Sequence, residues 1–264
     1  MESISFGQCI RHAWHSTWLT VTRMPVLLLA VVAVYTALNL APLVLLPAGD
    51  QTTSEPMRAL MMIVLLPVSI AVYGTLFVKV HRFVLLDEPA QPVWPERGKP
   101  VRRYVQFMLA IGVASATIAV VLMCLYQISP SGAYGLGGLL VYPTFIYFLV
   151  RLSLLLPAIA LGSRLDWKAA WHDSRGHFWS IFGVTLCAYL PLVAVIAAAA
   201  SLLPMFVSDD PWSVPQLAAF AAVQAVFTVL WLVLAASTLS WLYRRHGQEL
   251  PRAVSASHSD TPQR

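Results

Sequence analysis

The sequence predicts an all-α integral membrane protein: a polytopic membrane helix bundle of about six transmembrane helices, with both termini cytoplasmic. Of its 264 residues, 58% are hydrophobic and only 11% are charged, whereas a soluble domain carries about 25% charged residues. A soluble core of this size cannot bury so much apolar side chain, but a bilayer can accommodate it. The apolar residues also form long segments, and the basic residues gather between them.

The predicted single membrane domain covers residues 1–250 and holds six apolar segments long enough to cross a bilayer. Polar, proline-rich or glycine-rich loops separate these segments, and the last is long enough to tilt or protrude. The predicted spans are residues 25–46, 57–78, 104–128, 139–161, 178–203 and 214–243, and a disordered polar tail follows at 251–264.

Two further segments predict amphipathic helices at the cytoplasmic surface. Residues 3–22 place apolar side chains such as Ile10 and Trp14 on one helical face. A helix packed on the protein's own core is the alternative for this segment. Residues 167–178 form a second, shorter amphipathic face. Tryptophan is enriched at membrane surfaces, and the expected interfacial anchors are Trp14, Trp18, Trp167, Trp179 and Trp241.

The basic residues predict the orientation. With both termini inside, 15 of the 17 Lys and Arg lie on the cytoplasmic side, Arg58 lies outside, and Arg151 lies within the fourth span. This asymmetry follows the positive-inside rule. The net charge of +5 therefore favours the anionic face of a membrane as partner over nucleic acid.

Arg151 is the main candidate for a functional residue, since a charge within a span costs about 2.5–3.5 kcal/mol on insertion scales. It is expected to contact a lipid phosphate or another anion. The structural alternatives are snorkelling to the headgroups, or hydrogen bonds to carbonyls that Pro157 leaves unpaired. The loop that follows adds cations and tryptophan, and the predicted anion-binding set is Arg151, Arg164, Lys168, Trp171 and Arg175.

Two stretches carry a resemblance to known proteins. They are residues 151–163 with Ala-Trp-His-Asp-Ser-Arg-Gly-His-Phe-Trp at 170–179, and His-Arg-Phe-Val-Leu-Leu-Asp-Glu-Pro at 81–89. Together they resemble a family of uncharacterised bacterial six-span inner-membrane proteins. More distantly, they look like the membrane domain of some glycerophosphodiester phosphodiesterases. The resemblance implies a helical membrane fold and a bacterial inner-membrane location, and it carries over no catalytic residue.

Motifs for chemistry are weak in this sequence. The candidate metal ligands are His12, His15, His172, Asp173 and His177. No HExxH motif or cysteine pair supports a metal site, so solvated histidines at the membrane surface are the simpler interpretation. Ser174 beside these histidines is a remote nucleophile candidate. Gly135-Leu136-Gly137 is only a fragment of a phosphate loop. We therefore predict no catalytic residue, no metal and no cofactor.

The predicted function is that of a non-enzymatic membrane protein acting through anionic lipid or a protein partner. A small transporter or channel is the alternative. It would need a polar pathway, and spans one to three offer few polar side chains; these are Tyr35, Thr36, Asn39, Ser69, Ser115 and Thr117.

Overall fold

The chain folds into α-helices throughout the part that the computed structural model describes, which is residues 5–45, 55–88, 99–128, 133–163, 166–202 and 213–247. The predicted tail at 251–264 and Arg164 lie outside these residues. The helices are α1 Phe6–Arg23, α2 Pro25–Leu45, α3 Glu55–Leu86, α4 Lys99–Ile128, α5 Ala133–Leu152, α6 Leu155–Ala160, α7 Trp167–Asp173, α8 Phe178–Leu202 and α9 Val214–His246.

Five of these helices are long and apolar enough to cross a membrane, which confirms the prediction of a helical, multi-pass membrane protein. Their spanning segments are Pro25–Pro42, Ile63–Leu86, Pro100–Cys124, Phe178–Ser201 and Val214–His246. Most of each segment faces outward, as expected of helices surrounded by lipid. The apolar part of α5, Leu140–Leu152, is shorter.

Helix α9 lies at the centre of the bundle and contacts α1, α2, α3, α6 and α8. Its first half buries one face through Ala221, Ala225 and Val229, which are spaced four residues apart. Every residue from Leu232 to Thr238 is buried, so neighbouring helices surround α9 at that level. Small side chains such as Ala236 allow this close approach.

Several contacts bring helix ends together at one end of the bundle, which we call the α7 end. Arg244 near the end of α9 donates to the carbonyls of Val84 and Leu85 at the end of α3, at 2.7 and 3.1 Å. His177, before α8, packs its ring 4.5 Å from that of His246. This end therefore holds the termini of α3, α8 and α9. Helix α7 also lies here, because only residues 174–176 separate its last residue, Asp173, from His177.

The end of α3 is closed by local polar contacts. Asp87 adopts a positive φ of 53° and its N–H donates to the Phe83 carbonyl. Arg82 forms two hydrogen bonds to the Glu88 carboxylate, at 2.7 and 2.8 Å. These bonds lower the pKa of Glu88, so the pair loses its stabilising effect when acid protonates the carboxylate.

The fourth predicted span differs from the structure, because residues 139–161 do not form one continuous helix. Helix α5 ends at Leu152, a turn follows at Ser153 and Leu154, and α6 begins at Leu155. Pro157 has no N–H to donate to the Ser153 carbonyl, and it fits the first turn of a new helix. The Ser153 hydroxyl instead donates to the Val150 carbonyl at 2.7 Å.

Helix α6 is completely buried and ends in a Schellman motif. Gly162 has a φ of +96°, its N–H donates to Ile159, and the Ser163 N–H donates to Ala158. Arg103, near the start of α4, donates to the carbonyls of Gly162 and Ser163 at 3.2 and 3.0 Å. The Schellman motif and the two Arg103 bonds thus hold the end of α6 beside the start of α4.

We expect Gly162→Ala to destabilise the protein by about 1–2 kcal/mol, because an L side chain strains this left-handed backbone. The matched control is Gly112→Ala within α4, since an added Cβ meets nothing within 4 Å at either site. Thermal unfolding in detergent should show a lower Tm for Gly162→Ala alone. Equal Tm values for the two variants would refute the Schellman turn.

Candidate functional site

A cavity of about 710 Å³ opens between the last turns of α5 and one face of α7. The residues around it combine aromatic rings with basic groups; they are Tyr147, Phe148, Arg151, Leu152, Trp167, Lys168, Trp171, His172 and Arg175. We call this cavity the α5–α7 pocket. Its volume lies in the range of about 300–1,000 Å³ that is typical of pockets for small-molecule ligands.

Arg151 is the buried cation of the pocket, with only 7% of its surface exposed. Its guanidinium carbon lies 4.3 Å from the centre of the Trp171 ring and 5.2 Å from that of Tyr147, both within cation–π range. Nη1 donates to the Trp171 carbonyl at 3.3 Å. The buried Nε has no hydrogen-bond partner among the described residues. An unpaired, buried N–H of a charged group is costly, so an acceptor that reaches Nε would stabilise the site.

Helix α7 and the turn after it supply two of the three cations of the pocket. Lys168, Trp171 and His172 lie at i, i+3 and i+4 and share one side of the helix. Arg175 lies in the turn that follows the end of α7 at Asp173. Ala169, Ala170 and Asp173 are buried on the other side. The Asp166 carboxylate begins the helix by accepting from the N–H groups of Lys168 and Ala169.

The described lining of the pocket carries a net positive charge. Arg151, Lys168 and Arg175 each contribute a full positive charge, and none of the nine described lining residues is acidic. The acidic residues nearest in sequence do not line the pocket. Asp166 caps α7, and Asp173 is buried. A positive, partly apolar cavity of this kind favours an anion that also has an apolar part.

The structure brings together most of the predicted anion-binding residues. Arg151, Lys168, Trp171 and Arg175 all line the α5–α7 pocket. Arg151 is in the last turn of α5, one residue before its end, rather than about ten residues inside a span. Its partner is the Trp171 carbonyl and not a carbonyl released by Pro157.

Sequence reasoning did not include Tyr147 and Phe148 in the site. Both precede Arg151 by one helical turn, at i−4 and i−3, which places them on the same side of α5. Tyr147 lies 6.2 Å and Phe148 5.7 Å from the Trp171 ring, measured between ring centres. The helical spacing from Arg151 was therefore the signal that could have identified them.

The five expected membrane-surface tryptophans have different surroundings. Trp18 and Trp179 are exposed by 67% and 77%. Trp167 is 47% exposed and packs against Phe107. Trp14 donates to the Ala188 carbonyl in α8 at 3.1 Å, and Trp241 donates to Ser16 in α1 at 2.9 Å. Helix α1 thus packs on the protein through one face and exposes Trp18 on another.

The weaker chemical candidates are not assembled into a site. Within the residues that the structure describes, no group of three or more His, Cys, Asp or Glu side chains could hold a metal ion. His12 stacks on Trp241, and His177 lies against His246. The Ser174 hydroxyl donates to the Trp171 carbonyl at 3.2 Å rather than to a histidine.

A second polar cluster lies inside the bundle, between α3, α4 and α9. His81 is fully buried, and its Nδ1 is 2.8 Å from the Ser240 hydroxyl. Ser240 donates to the Ala236 carbonyl, so its oxygen accepts from Nδ1–H. Buried atoms without a partner in the described chain include His81 Nε2, the Tyr104 hydroxyl and the Ser237 hydroxyl.

The polar side chains of the first three spans are, by contrast, largely satisfied by their own backbone. Thr36, Ser69, Ser115 and Thr117 each donate to the carbonyl four residues earlier. Tyr35 donates to the Ser69 carbonyl at 3.3 Å. These hydroxyls therefore already have acceptors within the described part of the chain.

The pocket lies within a helical membrane protein, and this is the class that fold and site define. In comparisons with known proteins, no family model, no curated protein and no solved structure matches the chain.

Proposed function

We propose that this protein is a non-enzymatic integral membrane protein that binds an anionic lipid headgroup in the α5–α7 pocket. One observation carries the proposal: Arg151 is 7% exposed, lines the pocket and has a buried Nε with no partner in the described chain. Arginine matches phosphate through its planar fork of donors. A phosphate oxygen at Nε would supply the missing acceptor.

We further propose six membrane crossings with both termini cytoplasmic. Five helices are long enough by themselves. Helix α5 supplies the sixth, because its 20 residues extend about 30 Å, the thickness of the hydrocarbon core. The basic residues then lie mainly inside, and the resemblance at residues 151–179 supports a bacterial inner membrane.

In this topology the α7 end faces the cytoplasm, and the pocket lies at the depth of the inner headgroups. The exposed rings of Trp18, Trp167 and Trp179 suit this layer. Helices α1 and α7 would lie along the same surface as interfacial helices. A lipid could then place its phosphate in the positive pocket without moving far out of its leaflet.

The topology predicts the outcome of reporter fusions along the chain. Fusions after Gln51, Gly132 and Asp210 should report an external position, because each follows an outward-running span. Fusions after Arg97, Asp173 and Gln248 should report a cytoplasmic position. A single reversed loop would rule out six crossings, and an external Asp173 fusion would also remove the pocket from the inner leaflet.

The function is tested by purifying the protein from native membranes and identifying the bound lipids and proteins by mass spectrometry. We expect anionic phospholipid enriched over its share of the membrane, and a clear loss of it with Arg151→Leu. A bound protein without enriched lipid would contradict the lipid proposal and favour a protein partner, the other class of ligand that the sequence predicts. Lipid in the proportions of the membrane would contradict a specific headgroup site.

The buried cluster at His81 supports a second candidate function, that of a small transporter or channel. Ionisable residues inside a membrane bundle commonly mark ion or substrate pathways, and His81 Nε2 and the Tyr104 hydroxyl are buried without described partners. Proteoliposomes with an internal pH dye test this candidate. A proton flux that disappears in His81→Leu would support transport, and equal leak in protein-free liposomes would count against proton conduction.

A further inference from the structure

We propose that the ligand of the α5–α7 pocket is a lipid headgroup with two phosphate groups. This inference rests on the proposed lipid-binding function and specifies the class of lipid. Three properties of the pocket carry it: its charge, the placement of its cations, and its size.

The charge of the pocket exceeds that of one phosphodiester. Arg151, Lys168 and Arg175 provide three positive charges, and no described lining residue is acidic. A lipid with a single phosphodiester brings one negative charge and leaves two cations uncompensated. A headgroup with two phosphates neutralises at least two of the three and adds acceptors for their N–H groups.

The cations also lie on separate parts of the chain. Lys168 is in the first turn of α7, whereas Arg175 lies in the turn that follows Asp173, the last residue of α7. Arg151 stacks on Trp171, which lies between them in sequence. The arrangement offers a phosphate one buried position at Arg151. It also offers two exposed cations, one on either side of Trp171 in sequence.

The size of the pocket fits the same class of ligand. A volume of about 710 Å³ is that of a site for a ligand of many atoms rather than for one small anion. The partly exposed rings of Phe148 and Trp167 add apolar surface beside the cations. Such surface suits the glycerol and first acyl carbons of a lipid.

Two kinds of lipid carry this chemistry. Cardiolipin has two phosphodiesters separated by a glycerol, and isoprenyl pyrophosphates have two directly joined phosphates. Phosphatidylglycerol, with one phosphodiester, is the reference lipid. The three lipids differ in phosphate number and spacing, so a comparison of their affinities tests the inference and identifies the source.

The experiment titrates the full-length protein in detergent with each lipid and measures binding by native mass spectrometry. We expect at least one two-phosphate lipid to bind about tenfold or more tightly than phosphatidylglycerol, because one extra charge-assisted phosphate contact contributes about 1.5–3 kcal/mol. Lys168→Gln and Arg175→Gln should each reduce this preference, because the second phosphate loses a cation that it would otherwise contact. The control Arg102→Gln, an exposed residue of α4 outside the pocket, should leave the preference unchanged.

The outcomes separate the two proposals. If phosphatidylglycerol binds as tightly as both two-phosphate lipids at equal phosphate concentration, the two-phosphate inference is overturned and the lipid-binding function stands. A preference that survives both pocket variants also overturns it. If none of the three lipids binds, the proposed function itself fails.

Discussion

Arg151→Lys will insert and fold, but it will lose most of the anionic lipid that copurifies with the parent protein. Lysine keeps the positive charge but replaces the planar fork by a single ammonium group, which cannot bond a phosphate through two parallel N–H groups. It also loses the flat contact with Trp171, now at 4.3 Å. We expect about a tenfold or greater loss, since a hydrogen bond to a charged group contributes about 1.5–3 kcal/mol.

Two further variants complete this test. Arg151→Leu removes the charge, should insert more readily, and should lose the lipid as well. Arg102→Lys makes the same chemical change at an exposed arginine outside the pocket, and this variant should retain the bound lipid. The measurement is anionic lipid per protein molecule, read by mass spectrometry. If both Arg151 variants hold as much lipid as the parent, Arg151 only satisfies its own helices, and the site does not exist.

Ala236→Leu will destabilise the bundle by about 1–3 kcal/mol, the usual cost of added methylene groups in a closely packed core. Ala236 is completely buried and lies where α9 is surrounded by other helices. The larger side chain must therefore displace a neighbouring helix or adopt a strained rotamer.

Ala219→Leu is the matched control, because Ala219 lies on the same helix but is exposed. The same substitution at this exposed position should leave the stability of the bundle unchanged. Thermal unfolding in detergent, followed by circular dichroism, measures both variants. Equal Tm values would show that α9 is not the central helix of the bundle.

The spanning helices could be predicted from the sequence because lipid imposes a simple rule. A segment such as Phe178–Ser201 must be long, apolar and internally hydrogen-bonded, and hydropathy detects all three properties. The break after Leu152 could not be predicted in the same way. Leu154, Leu155 and Pro157 are as apolar as the residues of a continuous span. A proline, moreover, often only kinks a membrane helix.

The candidate site could be predicted in part for a similar reason. The i, i+3 and i+4 spacing of Lys168, Trp171 and His172 places these side chains on one face of any helix, and Arg175 follows closely in sequence. The contact between Arg151 and the Trp171 carbonyl depends on how α7 folds back on α5, which is tertiary structure. For the same reason, the sequence could not show that Trp14 and Trp241 hydrogen-bond within the protein.

The most direct test of the account is an experimental structure of the protein in nanodiscs that retain native lipid. We predict density for a phosphate in the α5–α7 pocket, with an oxygen about 2.7–2.9 Å from Arg151 Nε, the distance of a charge-assisted hydrogen bond. A pocket that holds only water or acyl chain, with Arg151 Nε bonded to a protein group, would contradict the account.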